Sequence, residues 1–113
     1  MVDELLECEH TPGGWPEQIA DRELQRAAEL FRALGDPARL RLLERLFRNE
    51  RCVTELALEL GEGLSTVSQR LKVLRAEGLV SRRREGKHIY YCLADDHVIN
   101  LLANALAHAM EPH

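Results

Sequence analysis

The chain has 113 residues and a formal net charge of −4, long enough for one domain with a core of its own. Three cysteines (Cys8, Cys52, Cys92) are too few and too scattered for a disulfide framework, and no run approaches the ~20 apolar residues needed to cross a bilayer. The start, MVDELLECEH, is acidic and lacks the apolar run of a secretory signal, so a reduced, soluble, cytoplasmic protein with no membrane partner is expected.

Residues 1–16 hold a Pro-Gly-Gly-Trp-Pro turn and little periodicity, and read as a flexible N-terminal arm ahead of a domain over 17–113. From Glu17 to Leu34, the residues Leu24, Ala27, Ala28, Phe31 and Leu34 recur at the spacing of an amphipathic helix. Gly35 stops it, and Asp36-Pro37 opens a second helix, with Asp as cap and Pro in the first helical position. Leu40, Leu43, Leu46 and Phe47 are its expected buried stripe. Asn49 to Arg51 break the pattern, and Val53–Leu60 predicts a short third helix.

A tight turn at Leu60-Gly61-Glu62-Gly63 leads into LSTVSQRLKVLRAEG, a fourth helix closed by Gly78. The runs LVSRRR and HIYYCLA, joined by Glu85-Gly86-Lys87, predict a β-hairpin, with Cys92 as core packing. A last helix begins near Asp95, where Asp96 is the expected cap. The fold class expected is mainly α with a small β-hairpin: a winged helix–turn–helix, homodimeric, with the first and last helices dimerising.

Charge is distributed unevenly. Between Leu64 and Tyr91 stand seven Lys/Arg against two Glu, while the rest of the chain carries −9. Such an island suits one surface that meets phosphate on a molecule that otherwise repels it. On the fourth helix, Val67, Leu71 and Leu74 cluster on one side as core, while Ser65, Gln69 and Lys72 point the opposite way, with Ser68 on the flank and Thr66 nearby. Hydroxyls, an amide and an amine can reach base edges and phosphates in a major groove. Taken alone, this polar side also suits a merely solvated helix face. The basic hairpin that follows, with Arg82, Arg83, Arg84 and Lys87 around a Gly turn, favours a reading helix with a wing.

The segments LFRALGDPARLRLLERL, VTELALELG and STVSQRLKVLRAEGLVSRRREGKHIYYCL resemble the ArsR/SmtB family of metal-responsive repressors over about residues 23–111. The resemblance implies a homodimer that binds palindromic double-stranded operator DNA and leaves it when an effector binds. The DNA-facing set expected is Ser65, Thr66, Ser68, Gln69, Arg70, Lys72, Arg83, Arg84 and Lys87. Two departures bear on the operator sequence: Glu62-Gly63-Leu64 replaces a Leu-Ser-Gln type of turn, and Gln69-Arg70 stands where a His pair is frequent.

The closing helix carries a metal pattern. His97 and His108 lie about 20° apart on the helical wheel but roughly 16 Å apart in rise, too far for one ion with ligands at ~2 Å. An antiparallel partner helix removes the difficulty: Asp95 and His97 of one chain meet His108 and Glu111 of the other, and symmetry provides two sites per dimer. Leu102, Ala105, Leu106 and Ala109 form the stripe expected to hold the helices together. Each histidine taken singly reads as an ordinary surface residue. The whole D-x-H-x10-H-x2-E pattern, however, resembles the zinc-sensing C-terminal-helix motif of the family.

Two imidazoles and two carboxylates suit Zn(II), with Co(II) acceptable and Ni(II) possible if His113 or His10 adds a ligand. The resemblance also implies a secondary candidate, since some members of the family bind metal at the cap of the third helix. Here that is Cys52, with Glu55 three residues on, joined by Cys8 and His10 of the arm, with Thr54 standing where the family's Cys-x-Cys version has its second cysteine. Its bland reading is a small buried Cys beside an arm that binds nothing. Two alternatives remain. One is the same repressor induced at Cys8/Cys52 by a thiol-reactive or soft-metal effector such as arsenite, Cd, Pb or persulfide. The other is a zinc buffer or hydrolase. An enzyme is not expected, since four protein ligands close the zinc to substrate.

Overall fold

A computed structural model describes residues 18–112. The elements are α1 (Asp21–Leu34), α2 (Pro37–Arg48), β1 (Arg51–Cys52), α3 (Val53–Leu60), α4 (Leu64–Ala76), β2 (Val80–Glu85), β3 (His88–Leu93) and α5 (Asp96–Met110). The strands form an antiparallel sheet of order β1-β3-β2. This is the winged helix–turn–helix arrangement. Cys8 and His10 of the expected arm, and His113, lie outside the described residues.

Helix boundaries follow local chemistry. α1 begins at Asp21, later than the expected Glu17, because Ala20 is extended and its N–H donates to Glu23 Oε1 at 3.1 Å. At α2, Asp36 Oδ2 accepts the Arg39 N–H at 3.0 Å, with Pro37 in the first turn. Gly61 ends α3 at φ +65, and the Glu62 N–H reaches back to Ala57 O at 3.0 Å. That left-handed step is open to glycine without strain, and it turns the chain sharply into α4. Gly86, at φ +63, does the same for the hairpin, whose register pairs Val80 with Leu93 and Glu85 with His88.

β1 was not foreseen. Arg51 and Cys52 pair with Tyr91 and Tyr90, a strand too short to show periodicity. Arg51 also anchors this corner, donating through Nη1 to the carbonyls of Arg45 and Asn49, each at 2.8 Å, and through Nε to Glu59 at 2.5 Å.

One core joins Leu42, Leu43 and Leu46 of α2, Leu56 of α3, Val67, Leu71 and Leu74 of α4, Leu79, Tyr91 and Leu93 of the sheet region, and Val98 and Leu102 of α5. Several expected buried residues are placed differently. In α2 Leu42 is fully buried, Leu40 only partly, and Phe47 is exposed. In α1, Leu24 and Phe31 are 54% and 61% exposed, so most of its apolar stripe lies on the subunit surface. Leu102, expected between paired helices, is 2% exposed and belongs to the subunit's own core. Cys92 is half-buried beside Ser81, Sγ to Oγ 3.2 Å. In each case periodicity identified an apolar face without saying what covers it.

Leu56 is fully buried in the core it shares with α4, so Leu56→Ala should destabilise the fold by about 2–5 kcal/mol in denaturant melts. A second expectation concerns acid. Hydrogen bonds from Arg48 and then Arg41 outweigh partial burial and hold the Glu44 carboxyl below its usual range. A lowered folded value means that its contribution is present above the ordinary carboxylate range and lost as pH falls through the folded one. Glu44→Gln should therefore cost about 0.5–1 kcal/mol at pH 7. The gap to wild type should narrow in thermal melts as pH falls below the ordinary carboxylate range of about 4.

Candidate nucleic-acid interface and metal half-sites

Val67, Leu71 and Leu74 are 0%, 1% and 0% exposed and fix the rotation of α4. Ser65, Thr66, Ser68, Gln69 and Lys72 are consequently all exposed. Arg70 stands apart from this set. It is half-buried, with Nη1 3.3 Å from Glu62 Oε1, and ties α4 to the preceding turn.

The hairpin divides its cations between two faces. Arg82 and Arg84 lie opposite Tyr91 and Ile89, on the side that becomes core at Val80 and Leu93. Arg83 lies opposite Tyr90 on the other face and pairs with Glu50 and Glu85. Among the described residues Arg82, Arg84, Lys87 and Lys72 have no ion-pair partner. Nothing in the sequence pointed to Glu50, which lies 33 residues from Arg83 and meets it only through sheet pairing.

α5 carries the four expected metal ligands at its two ends. His97 Nδ1 lies 3.8 Å from Asp95 Oδ1, and His108 Nδ1 lies 3.4 Å from Glu111 Oε1. All four side chains are more than half exposed. Among the described residues no three His, Cys, Asp or Glu side chains gather in a metal-holding group. One chain thus brings the four expected ligands together only as pairs. The helix cap is Asp95, not Asp96: its Oδ1 accepts the Val98 N–H at 3.0 Å. Asp96 instead sits in the first turn, where a negative charge favours the helix dipole.

The Asp95/His97 pair adjoins the end of α4. A groove of about 260 Å³ is lined by Arg26, Leu30, Glu77, Leu79, Asp95 and His97, among others. Arg26 of α1 reaches Glu77 twice, Nη1 to Oε1 at 2.5 Å and Nη2 to the backbone O at 3.0 Å. The Ala94 N–H donates to Leu79 O at 3.1 Å, continuing the link from α4 to α5.

At the other candidate, Cys52 caps α3 and its N–H donates to Glu55 Oε1 at 2.9 Å. That bond, and then the thiol's, lower the Glu55 pKa and keep the carboxylate ionised. The described partners of Cys52 and Glu55 are those of a capping box.

Residues 36–82 match the family described as bacterial regulatory protein, arsR family. The chain is 45% identical to a transcriptional repressor SmtB homolog of Synechocystis sp., over 95% of this chain and 81% of that protein. The chain belongs to the ArsR/SmtB family. It is 39% identical to the repressor SmtB of Mycobacterium tuberculosis, over 97% of this chain and 78% of that one. Among solved structures it resembles the homodimeric winged helix-turn-helix DNA-binding domain of a possible ArsR-family transcriptional regulator from Mycobacterium bovis. The TM-score is 0.77 at 35% identity, covering 87% of this chain and 96% of that one. NolR from Sinorhizobium fredii superimposes with a TM-score of 0.72 at 35% identity, covering 84% and 97%. This ArsR/SmtB chain is a DNA-binding transcriptional repressor and not an enzyme.

The capping role of Asp95 can be tested apart from its expected role as a metal ligand. In metal-free protein, Asp95→Ala should cost about 1 kcal/mol through loss of the cap, whereas Asp95→Asn should cost little. Equal losses in thermal melts would remove the capping role.

Proposed function

We propose that the protein is a homodimeric metal sensor that occupies a palindromic operator when metal-free and leaves it when zinc binds at two sites between its subunits. The observation that carries this reading is the splitting of ligands on α5 into two exposed pairs at opposite ends of the helix. Asp95 and His97 of one subunit, with His108 and Glu111 of the partner subunit, would hold the ion. The donor set fits, since two imidazoles and two carboxylates are sufficient for tetrahedral Zn(II). When bound, zinc supplies a four-ligand cross-link between subunits. Co(II) suits the same donors, and Ni(II) would call on further histidines.

Dimerisation is supported by the apolar surface of the single subunit. Leu24 and Phe31 of α1, and Ile99 and Met110 of α5, are exposed together with Ala105 and Ala109. A second copy is the partner that would bury this surface symmetrically. Homodimeric assembly of the Mycobacterium bovis relative agrees with this.

For DNA, Ser65, Thr66, Ser68, Gln69 and Lys72 face a major groove, while Arg84 and Lys87 meet phosphates from the wing. Coupling runs through the groove between the half-site and the end of α4. Asp95 holds the first turn of α5, Ala94 is bonded to Leu79, and Arg26 grips Glu77. A shift in the pairing of the two α5 helices therefore alters how the two reading helices are spaced. By linkage, DNA weakens zinc binding by the factor with which zinc weakens DNA binding.

Subunit mixing tests the shared site. His97→Ala and His108→Ala dimers should each lose both high-affinity zinc sites. A 1:1 mixture after subunit exchange should recover about a quarter of wild-type capacity, because half the dimers are mixed and each holds one intact site. No recovery in equilibrium dialysis would refute the inter-subunit arrangement. In a parallel titration, zinc should release wild type from operator DNA and fail to release His108→Ala.

A further inference from the structure

Arg83 differs from its neighbours in the basic wing. Its Nε donates to Glu50 Oε2 at 3.2 Å, Nη2 donates to Glu50 Oε1, and Nη1 donates to Glu85 Oε2. The guanidinium carbon lies 5.1 Å from the centroid of the Tyr90 ring. One positive charge is thus shared between two carboxylates, with an aromatic ring against it. The forked contact to Glu50 is the geometry in which arginine binds carboxylate best. Arg83 holds Glu50 ionised, lowering its pKa, while Glu50 and then Glu85 raise that of Arg83.

The location gives the contact its leverage. Glu50 immediately precedes β1, on the far side of β3 from β2, so the bridge spans the width of the sheet. β1 pairs only with Tyr90 and Tyr91, leaving the hairpin beyond them as a two-stranded ribbon. Such a ribbon is marginal without further support.

We propose that Glu50 and Arg83, packed against Tyr90, form a latch that positions the wing for DNA, and that Arg83 neutralises no phosphate itself. This rests on the DNA-binding role of the wing and refines it. A phosphate approaching Arg83 meets a triad of net charge −1 and would have to displace carboxylates already in place. Arg84 and Lys87, which have no such partners among the described residues, offer unshared charges. Glu50 and Arg83 are therefore positioning residues, and the unshared charge of the wing belongs to Arg82, Arg84 and Lys87, of which Arg84 and Lys87 lie nearest its tip.

Salt dependence separates the roles. A duplex selected by the wild-type protein from a randomised double-stranded library serves as probe, with affinity measured against NaCl concentration. Arg84→Gln and Lys87→Gln should each lower the magnitude of the log–log slope by about 0.9, the signature of one lost phosphate contact. Arg83→Gln and Glu50→Gln should each weaken binding by about threefold to tenfold with the slope unchanged. The double variant should bind no more weakly than the worse single one. A slope lower by about one in Arg83→Gln, tighter binding by Glu50→Gln, or unchanged affinity in both would overturn the latch. Amide exchange in DNA-free protein gives a second measure, with faster exchange expected across 85–89 in both variants. If wild type selects no duplex, the DNA role of the wing fails, and equal protection in all three proteins would overturn the latch on its own.

Discussion

Val67, Leu71 and Leu74 are buried in the core that also takes residues of α2, α3 and the sheet, and the polar surface of α4 depends on that burial. A helix buried along one side cannot rotate about its axis without bringing leucine into water, so its opposite side is set in place. Ser65, Gln69 and Lys72 are presented to solvent for this reason, and none of them needs a bond of its own to hold it there. α3 enters the same core through Leu56, and the left-handed Gly61 sets the angle between the two helices.

Charge is handled by the same economy. The basic island holds more cations than it leaves open, because Arg70 is committed to Glu62 and Arg83 to Glu50 and Glu85. What remains unshared among the described residues, Lys72, Arg75, Arg82, Arg84 and Lys87, lies on α4 and the hairpin. An acidic protein can meet DNA in this way because a contact depends on local potential and not on the net total. At the other end of α4, Arg26 places a cation against Glu77 and its carbonyl, where the helix dipole favours positive charge.

α5 divides along its length. Val98 and Leu102, near its start, enter the core, while Ala105, Ala109 and Met110 stay exposed toward its end. Together with Leu24 and Phe31 of α1, they leave apolar surface that the subunit cannot bury alone. The metal-capable residues flank that surface, so whatever joins two copies also decides whether donors meet. Asp95 connects the two roles, since the same carboxylate caps the helix and stands beside His97.

Local spacing made much of this legible. The caps at Asp36 and Cys52, the turn at Gly61, the core side of α4, the hairpin turn around Gly86 and the paired His and carboxylate residues of α5 all depend on residues within a few positions of one another. Sequence by itself therefore determined the order of elements, the polar side of α4 and the existence of two His/carboxylate pairs at opposite ends of α5. Tertiary structure alone decided which apolar residues are core and which are left at the surface, as with Leu42 against Phe47 and Leu102 against Ala105. It also decided which cations are spent internally, since Glu50 and Arg83, or Arg26 and Glu77, meet only after distant segments pack. Periodicity shows that a face is apolar or charged, but what covers that face depends on neighbours that no local spacing identifies.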